Sequence, residues 1–397
     1  MGLIGPGFIA EHHLDAVRRL EGVEIVGIAG SSPQSGRDRA RVLGVRQAFD
    51  SYHDLLAEQQ IDVVHNTTPS HLHYEISLAA LRAGKHVISD KPLASTAWQC
   101  EELCEAAASA GVVAAVTFNY RGYAAVQQAR TMAHGDELGQ QVYIHGHYLQ
   151  DWMADDHVFS WRIDPVCAGE SAALIDVGAH WCDLAEYLSG SRISQVLADL
   201  HTAIPIRFSS GTSQTFAGPA RDHGTPVEVH CEDLASLLLK FENGARGCLK
   251  VAQVLPGHKN DLQIEVCGRA ASVRWEQEKP NELWIGYANA PNAVMSMQAS
   301  LLAPQARAYA SLPAGHPAGW PDAFRAVVSD IYDWIRADRT ATRQPATLCT
   351  FEDAHRISVI IESMLESHKR GGVWIDVPQK NLEGTREIVA AAGGERR

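Results

Sequence analysis

Within its first ten residues the chain carries Gly5-Pro6-Gly7-Phe8-Ile9-Ala10, a G-x-G-x-x-A turn directly behind the apolar stretch Met1–Ile4. In such a turn the first glycine makes the bend, the second lets a pyrophosphate approach the backbone, and the small sixth residue lets a helix pack closely on a strand. The spacing constrains a fold only where it joins a strand to a helix, and the surrounding sequence supplies both. Helical patterns at 9–20, 34–43, 73–83 and 97–110 alternate with strand-like runs at 23–29 (VEIVGIA), 62–68 (DVVHNTT), 86–90 (HVISD) and 112–118 (VVAAVTF). That alternation predicts an α/β domain over residues 1–119, a parallel, doubly wound sheet with helices on both faces. The strand before the turn is short, so Met1–Ile4 reads as the end of a first strand whose beginning lies upstream.

After Tyr120 the pattern changes. Alternating stretches at 141–150, 232–254 and 261–275 predict hairpins of a mainly antiparallel sheet, with Asn243-Gly244 and Gly268-Arg269 as turns. Helices are expected at 175–188, 320–337 and 351–368, a Ser/Thr/Gly/Pro-rich loop at 202–226 and a loose tail at 381–397. Residues 120–380 are thus assigned to a second, α+β domain. With 47 acidic residues against 34 Lys and Arg, the net charge of −13 disfavours a nucleic-acid partner. No apolar run reaches the ~18 residues of a membrane span and no signal peptide opens the chain, which predicts a cytoplasmic protein with no membrane partner. Eight cysteines without a C-x-x-C pair read as reduced thiols.

The glycine turn predicts a Rossmann-type dinucleotide site, with Gly5, Gly7, Phe8 and Ile9 around a pyrophosphate at the first helix N-terminus. NAD enzymes often place an acidic residue after the second strand to bind the ribose 2′-hydroxyl. Here the chain reads Gly30-Ser31-Ser32-Pro33-Gln34-Ser35-Gly36-Arg37. Gly30 leaves room, Ser31 and Ser32 offer hydroxyls and Arg37 answers a 2′-phosphate, so the expected cofactor is NADP(H) in preference to NAD(H).

Two further motifs carry a family resemblance. Asp90-Lys91-Pro92 follows a strand, and SAALIDVGAHWCDLAEYLSG at 171–190 contains Asp176, His180 and Asp183 in a D-x-x-x-H…D pattern. Together with 66–96 they resemble the Gfo/Idh/MocA oxidoreductases, whose hallmark at the first motif is E-K-P. Asp90 keeps the carboxylate with one methylene fewer. At helical spacing Asp176 and His180 share a face, where the carboxylate can orient an imidazole suited to proton transfer near neutral pH. The resemblance makes His180 the acid/base, with Lys91 and Asp176 supporting it at the reacting hydroxyl. It places Asn66, Thr67, Thr68, Pro69, His71, Asp90, Lys91 and Asn119 at the cofactor. It also implies a large open sheet in the second domain, through which members pair into homodimers or homotetramers.

Substrate contacts are expected from Trp152, Trp161, Arg162 and His316, aromatic or polar groups that suit a ring bearing hydroxyls, together with Lys91, Asp176 and His180. His145/His147 and His71/His73 alternate as metal ligands do, but no third ligand stands at a recognisable spacing, and no metal is expected. The expected activity is hydride transfer between NAD(P) and a ring hydroxyl or ketone of a sugar, sugar derivative or inositol-like polyol. Two alternatives stand beside it: a redox-assisted lyase or glycosidase that retains its cofactor, and a non-catalytic nucleotide-sensing regulator.

Overall fold

The glycine turn joins strand to helix. In the computed structural model, which describes residues 1–164, 167, 169–209, 224–337 and 344–379, β1 (Gly2–Ile4) leads through the turn into α1 (Phe8–Arg18). Gly5 has φ +86°, and a Cβ there would fall 2.6 Å from the Thr68 backbone, so only glycine fits. The alternation continues through β2 (Gly27–Ala29), α2 (Pro33–Leu43), β3 (Ala48–Phe49), α3 (Tyr52–Ala57), β4 (Val63–Asn66), α4 (His73–Arg82), β5 (His86–Ser89), α5 (Ala97–Ala110) and β6 (Ala114–Val116). All pairs are parallel in the order β3-β2-β1-β4-β5-β6, so the three-residue β1 lies at the centre, where the order reverses. Open α/β sheets bind ligands beyond the strand ends at such a point.

The second unit starts with α6 (Ala124–His134), β7 (Gln141–Leu149), α7 (Ala179–Ser189), β8 (Ile193–His201), β9 (Ile206–Ser209) and β10 (Thr225–Glu228). It continues with β11 (Leu234–Phe241), β12 (Arg246–Ala252), β13 (Asp261–Gly268), β14 (Ala271–Glu276), β15 (Glu282–Tyr287) and β16 (Ala293–Ser296). The chain closes with α8 (Pro304–Arg307), α9 (Trp320–Arg336), α10 (Phe351–Lys369) and β17 (Ile375–Asp376). Nine strands form one sheet, ordered β16-β15-β14-β13-β7-β12-β11-β8-β17, while β9 and β10 pair separately. Both expected hairpins are present, β11/β12 and β13/β14. Their neighbour β7 runs antiparallel to β13 but parallel to β12, which makes the sheet mixed. Of the expected 202–226 loop, residues 202–209 and 224–226 are described and hold strand β9 and the start of its antiparallel partner β10 instead of loop alone, and the expected tail at 381–397 lies outside the described residues.

Strand alternation buries one face of this sheet. Ile144 and Tyr148 of β7 and Leu237 and Leu239 of β11 join the core with Trp181 and Leu184 of α7. α9 goes elsewhere: its Phe324, Val327, Val328 and Ile331 pack with Leu3, Leu14 and Val17 in the core of the first sheet. No helix among the described residues is long and apolar enough to cross a membrane.

Beneath α1, His13 Nδ1 lies 2.8 Å from His65 Nδ1, and His65 Nε2 lies 2.9 Å from the Tyr332 hydroxyl. Burial pulls the His13 pKa down to about 4 and His65 well below its ordinary value. The unfolded chain takes protons on these rings below pH ~6.5 and the folded chain does not, so stability is lost as pH falls from 6.5 towards 4. His13 alone is expected to withdraw about 2 kcal/mol between pH 7 and 5. Urea unfolding of His13→Asn, which keeps a polar atom near the Nδ1 position, checks this: its stability is expected to vary less with pH by that amount.

Candidate active site

The dinucleotide side forms at the reversal between β1 and β4. α1 starts behind Gly7 with no side chain capping it, leaving first-turn N–H groups to favour an anion. A Cβ added to Gly7 would meet nothing closer than the Gly5 carbonyl oxygen at 4.0 Å, so space stands open before the backbone. Phe8 is exposed and Ile9 half-buried beside it. These features fit a dinucleotide pyrophosphate.

After β2, Ser31 is exposed, Ser32 accepts Ser35 N at 3.2 Å as the α2 cap, and Arg37 Nη1 lies 3.1 Å from Asp50 Oδ1. Gly30 has a different task from the one expected. Its absent Cβ would fall 2.6 Å from Gly36 N, so the glycine lets β2 and α2 close together instead of leaving room for a ribose.

The loop after β4 divides. Asn66 is buried and donates to His73 O at 3.1 Å and Ser77 Oγ at 3.0 Å, while its Oδ1 accepts the Thr68 hydroxyl at 2.7 Å. Thr67 donates to Ile4 O and Gly5 O. Both polar side chains, expected at the nicotinamide, are engaged in holding the glycine turn and the loop. Thr68 and Pro69 are half-buried and His71 is exposed. Asp90 Oδ1 accepts from Thr117 Oγ1 at 3.0 Å. Asn119 is buried with Nδ2 lacking a partner, a donor a ligand can satisfy.

His73, unmarked in the sequence except as a poor metal candidate, sits between the two halves of the site. Its Nδ1 faces Pro92 O at 2.6 Å and its Nε2 faces Thr68 O at 2.8 Å. Burial lowers its pKa, with Asp90 and the two carbonyls acting the other way. The neutral ring donates to one carbonyl and ties the cofactor loop to the turn carrying Lys91.

Lys91, joined to Pro92 by a cis peptide, reaches into the second unit: Nζ donates to Asp176 Oδ1 at 2.7 Å and to Asp176 O at 2.6 Å. Asp176 does not begin an α-helix. Residues Leu174–Gly178 form a π-helical turn ahead of α7, a feature common at functional sites. The buried Glu232 holds its start, accepting Ser171 Oγ, Ala172 N and Leu174 N at 2.9, 3.1 and 2.7 Å. Arg162 Nε lies 3.2 Å from Asp176 Oδ1, and Gln253 donates to Oδ2 at 2.8 Å. Burial alone would raise the Asp176 carboxyl, but Arg162, Lys91 and the hydrogen bonds from Lys91 and Gln253 hold it far below the usual carboxylate range.

His180 is the surprise of this arrangement. It lies in the first turn of α7, walled by Tyr120 and Phe118 with ring centroids 4.8 and 5.6 Å away. No hydrogen bond joins it to Asp176 among the described residues, and its buried Nδ1 has no partner. The expected carboxylate–imidazole pair is replaced by a carboxylate–ammonium pair. A charge-assisted bond to Lys91 outcompetes one to a neutral ring, and the π turn alters the helical spacing on which the expectation rested. Burial first, then Lys91, draws the His180 pKa well below its ordinary value against the pull of Asp176. The imidazole is neutral at pH 7.

From Asp176 a polar chain extends across the inner sheet face. Gln253 donates to Gln150 Oε1 at 3.1 Å, as does Trp152 Nε1 at 3.0 Å; Gln150 donates to Asn260 Oδ1 at 3.0 Å. Tyr148 donates to the same Asn260 oxygen at 2.6 Å and meets Tyr120, hydroxyl to hydroxyl, at 2.6 Å. The Arg162 guanidinium lies 4.6 Å over the Trp161 ring and 5.8 Å from that of Trp152. Trp152, Trp161 and Arg162 are therefore brought to Asp176. His316 is not: it is exposed, beside a narrow cleft with Tyr123, Asn281 and Asp322 that contains none of Lys91, Asp176 or His180. A larger cleft of about 490 Å³ is lined by Arg121, Asp183, Glu186 and Arg356, whose charges already pair with one another.

The stretch YLQDWM at 148–153 is aromatic and polar enough to suit a ring bearing hydroxyls, which covers Tyr148 and Gln150, but sequence reasoning missed Gln253, Asn260 and Tyr120. Each is an ordinary polar residue at a strand end or turn, and only strand pairing makes them one chain. The same pairing supplies third groups beside the histidines of β7, Glu265 and Cys267 near His145 and Asp261 near His147.

Comparison with known proteins bears on this geometry. Residues 1–118 match the oxidoreductase family with an NAD-binding Rossmann fold, GFO_IDH_MocA, and residues 126–274 match the GFO/IDH/MocA C-terminal domain. Levoglucosan dehydrogenase of Pseudarthrobacter phenanthrenivorans is 30% identical over 399 residues, covering 96% of this chain and 98% of that protein. A solved levoglucosan dehydrogenase in complex with NADH and L-sorbose has a TM-score of 0.84 at 28% identity, covering 96% of this chain and 98% of that one. An inositol dehydrogenase homolog complexed with NAD+ from Azotobacter vinelandii has a TM-score of 0.83 at 27% identity, covering 94% and 96%.

Proposed function

The chain belongs to the Gfo/Idh/MocA oxidoreductase family, and from that premise we propose that it interconverts a ring hydroxyl and ketone of a sugar, sugar derivative or inositol-like polyol. The observation that carries the reading is Lys91 bound to an ionised Asp176 with the neutral His180 nearby. The bound nicotinamide supplies hydride acceptance. Lys91 presents an ammonium to the carbinol oxygen and lowers the cost of developing alkoxide. His180, held neutral, takes the hydroxyl proton. Arg162, Trp152 and Trp161 bond and stack on the remainder of the ring, while Gln150 holds Trp152 and Gln253 holds Asp176 in place.

The test is a panel of polyols, led by levoglucosan and inositols, given to the 397-residue protein with either cofactor while nicotinamide absorbance is followed. Cofactor reduction by at least one member is expected. Product without net absorbance change would transfer the site to the cofactor-retaining lyase reading. No reaction with any member, despite tight cofactor binding, would overturn the proposal.

At the ribose we propose a preference for NADPH, read by Ser31, Ser32 and Arg37. Arg37 pairs with Asp50, but both groups are more than half exposed, and such pairs contribute about 0–1 kcal/mol, so a 2′-phosphate can displace the carboxylate. Fluorescence titration is expected to show tighter NADPH than NADH binding and a ratio narrowed about tenfold or more in Arg37→Ala. Tighter NADH binding in the unaltered protein would reverse the assignment.

We place the protein in the cytoplasm, which its eight free cysteines suit. We also assign the outer face of the large sheet, where Tyr143 and Leu238 are exposed, to self-association as a dimer or tetramer.

A further inference from the structure

We propose that the outer face of the nine-stranded sheet carries a zinc-class metal site formed by His145, Glu265 and Cys267, separate from the oxidoreductase site.

The strands build it. On β7, Ile144 faces the core, so its neighbour His145 faces outward. Antiparallel pairing sets Glu265 of β13 directly opposite His145, and Cys267 follows two residues along on the same face. His145 Nε2 lies 3.9 Å from Glu265 Oε2, Cys267 Sγ lies 3.5 Å from Glu265 Oε1, and the three donor atoms all fall within 4.8 Å of one another. Tetrahedral zinc with bonds of ~2.0–2.3 Å separates its ligands by ~3.3–3.8 Å. Donors on two central strands are thus within about 1 Å of those separations without an ion to draw them together.

The donor set selects the class of ion. Imidazole and thiolate favour zinc and its neighbours over magnesium or calcium, which want oxygen alone. Three protein donors leave a fourth position for water or for Cys248, which pairs in register with His145 from β12.

One cation competes. Arg274 Nη1 lies 3.6 Å from Glu265 Oε2. Its Nε also pairs with Glu276 at 3.2 Å and its guanidinium lies 4.6 Å over the Trp284 ring, so it keeps a carboxylate and a stacking partner when an ion takes Glu265. Binding also displaces the Cys267 thiol proton.

The test is titration of the chelator-treated, full-length protein with zinc and, separately, with cobalt(II) under reducing conditions. One equivalent of zinc is expected to bind, with cobalt producing a thiolate charge-transfer band. Affinity is expected to fall at least tenfold in both His145→Ala and Cys267→Ser, with the cobalt band lost in the latter, while His157→Ala, in the exposed Asp155/Asp156/His157 group, binds as the unaltered protein does. Cofactor binding by each variant verifies that it has folded. Absence of stoichiometric binding, or binding that survives both substitutions in folded protein, would overturn the site.

Discussion

Lys91→Met is expected to lose about 10³-fold or more in turnover while the protein stays folded. The lost ammonium is the group proposed to stabilise the alkoxide, and single electrostatic donors of this kind contribute ~10²–10³ in rate. The same residue tunes its surroundings: Lys91 helps hold His180 neutral and Asp176 ionised, so its removal alters the proton acceptor as well. Folding survives because Arg162 and Gln253 still hold the Asp176 carboxylate. His180→Asn, which removes only the proton acceptor, is expected to cost ~10²–10⁴-fold. Steady-state kinetics on the substrate identified by the polyol panel would check both. A Lys91→Met enzyme retaining more than a tenth of its turnover would remove Lys91 from the chemistry.

Asp183→Ala is expected to be strongly destabilising. Asp183 belongs to the same motif as Asp176 and His180 but serves structure: it receives Arg121 through Nε at 2.9 Å and Nη2 at 2.5 Å, with both residues buried. Arg121 also donates to Leu348 O at 3.1 Å and lies 4.6 Å over the Tyr187 ring, linking the end of the first unit to α7 and to the segment before α10. Truncating the aspartate leaves a guanidinium buried without its counter-charge, at a cost of ~3–5 kcal/mol. The companion variant Arg121→Met/Asp183→Leu removes both charges and is expected to recover most of that loss. Urea unfolding of the single and double variants settles the comparison. A double variant no more stable than Asp183→Ala would mean that the pair contributes more than its own compensation.

Much of this molecule was legible locally. The glycine turn and the alternation after it predict the first sheet, because a parallel strand–helix–strand unit writes its periodicity and its turn into contiguous residues. Helix 351–368 and both hairpins are legible for the same reason. The catalytic candidates Lys91, Asp176 and His180 are legible through their motifs, and the structure gathers them.

What the motifs do not carry is partner choice. The spacing of Asp176 and His180 suggests a pair with each other, yet Asp176 takes Lys91, Arg162 and Gln253, because charged donors from other elements reach the same carboxylate. Asn66 and Thr67 lie at the right loop but hydrogen-bond to the protein itself.

The sequence by itself determined the dinucleotide unit and its glycine turn and singled out Lys91, Asp176 and His180 as candidates for the reacting centre, since each motif depends on neighbours a few positions away. Only the tertiary structure decided that α9 returns to complete the first core, that Gln150, Gln253 and Asn260 form one polar chain, and that Glu265 and Cys267 stand beside His145. Periodicity tells which face of an element is buried. Which other element covers it depends on packing and strand register across the whole chain, and those are properties of contacts distant in sequence.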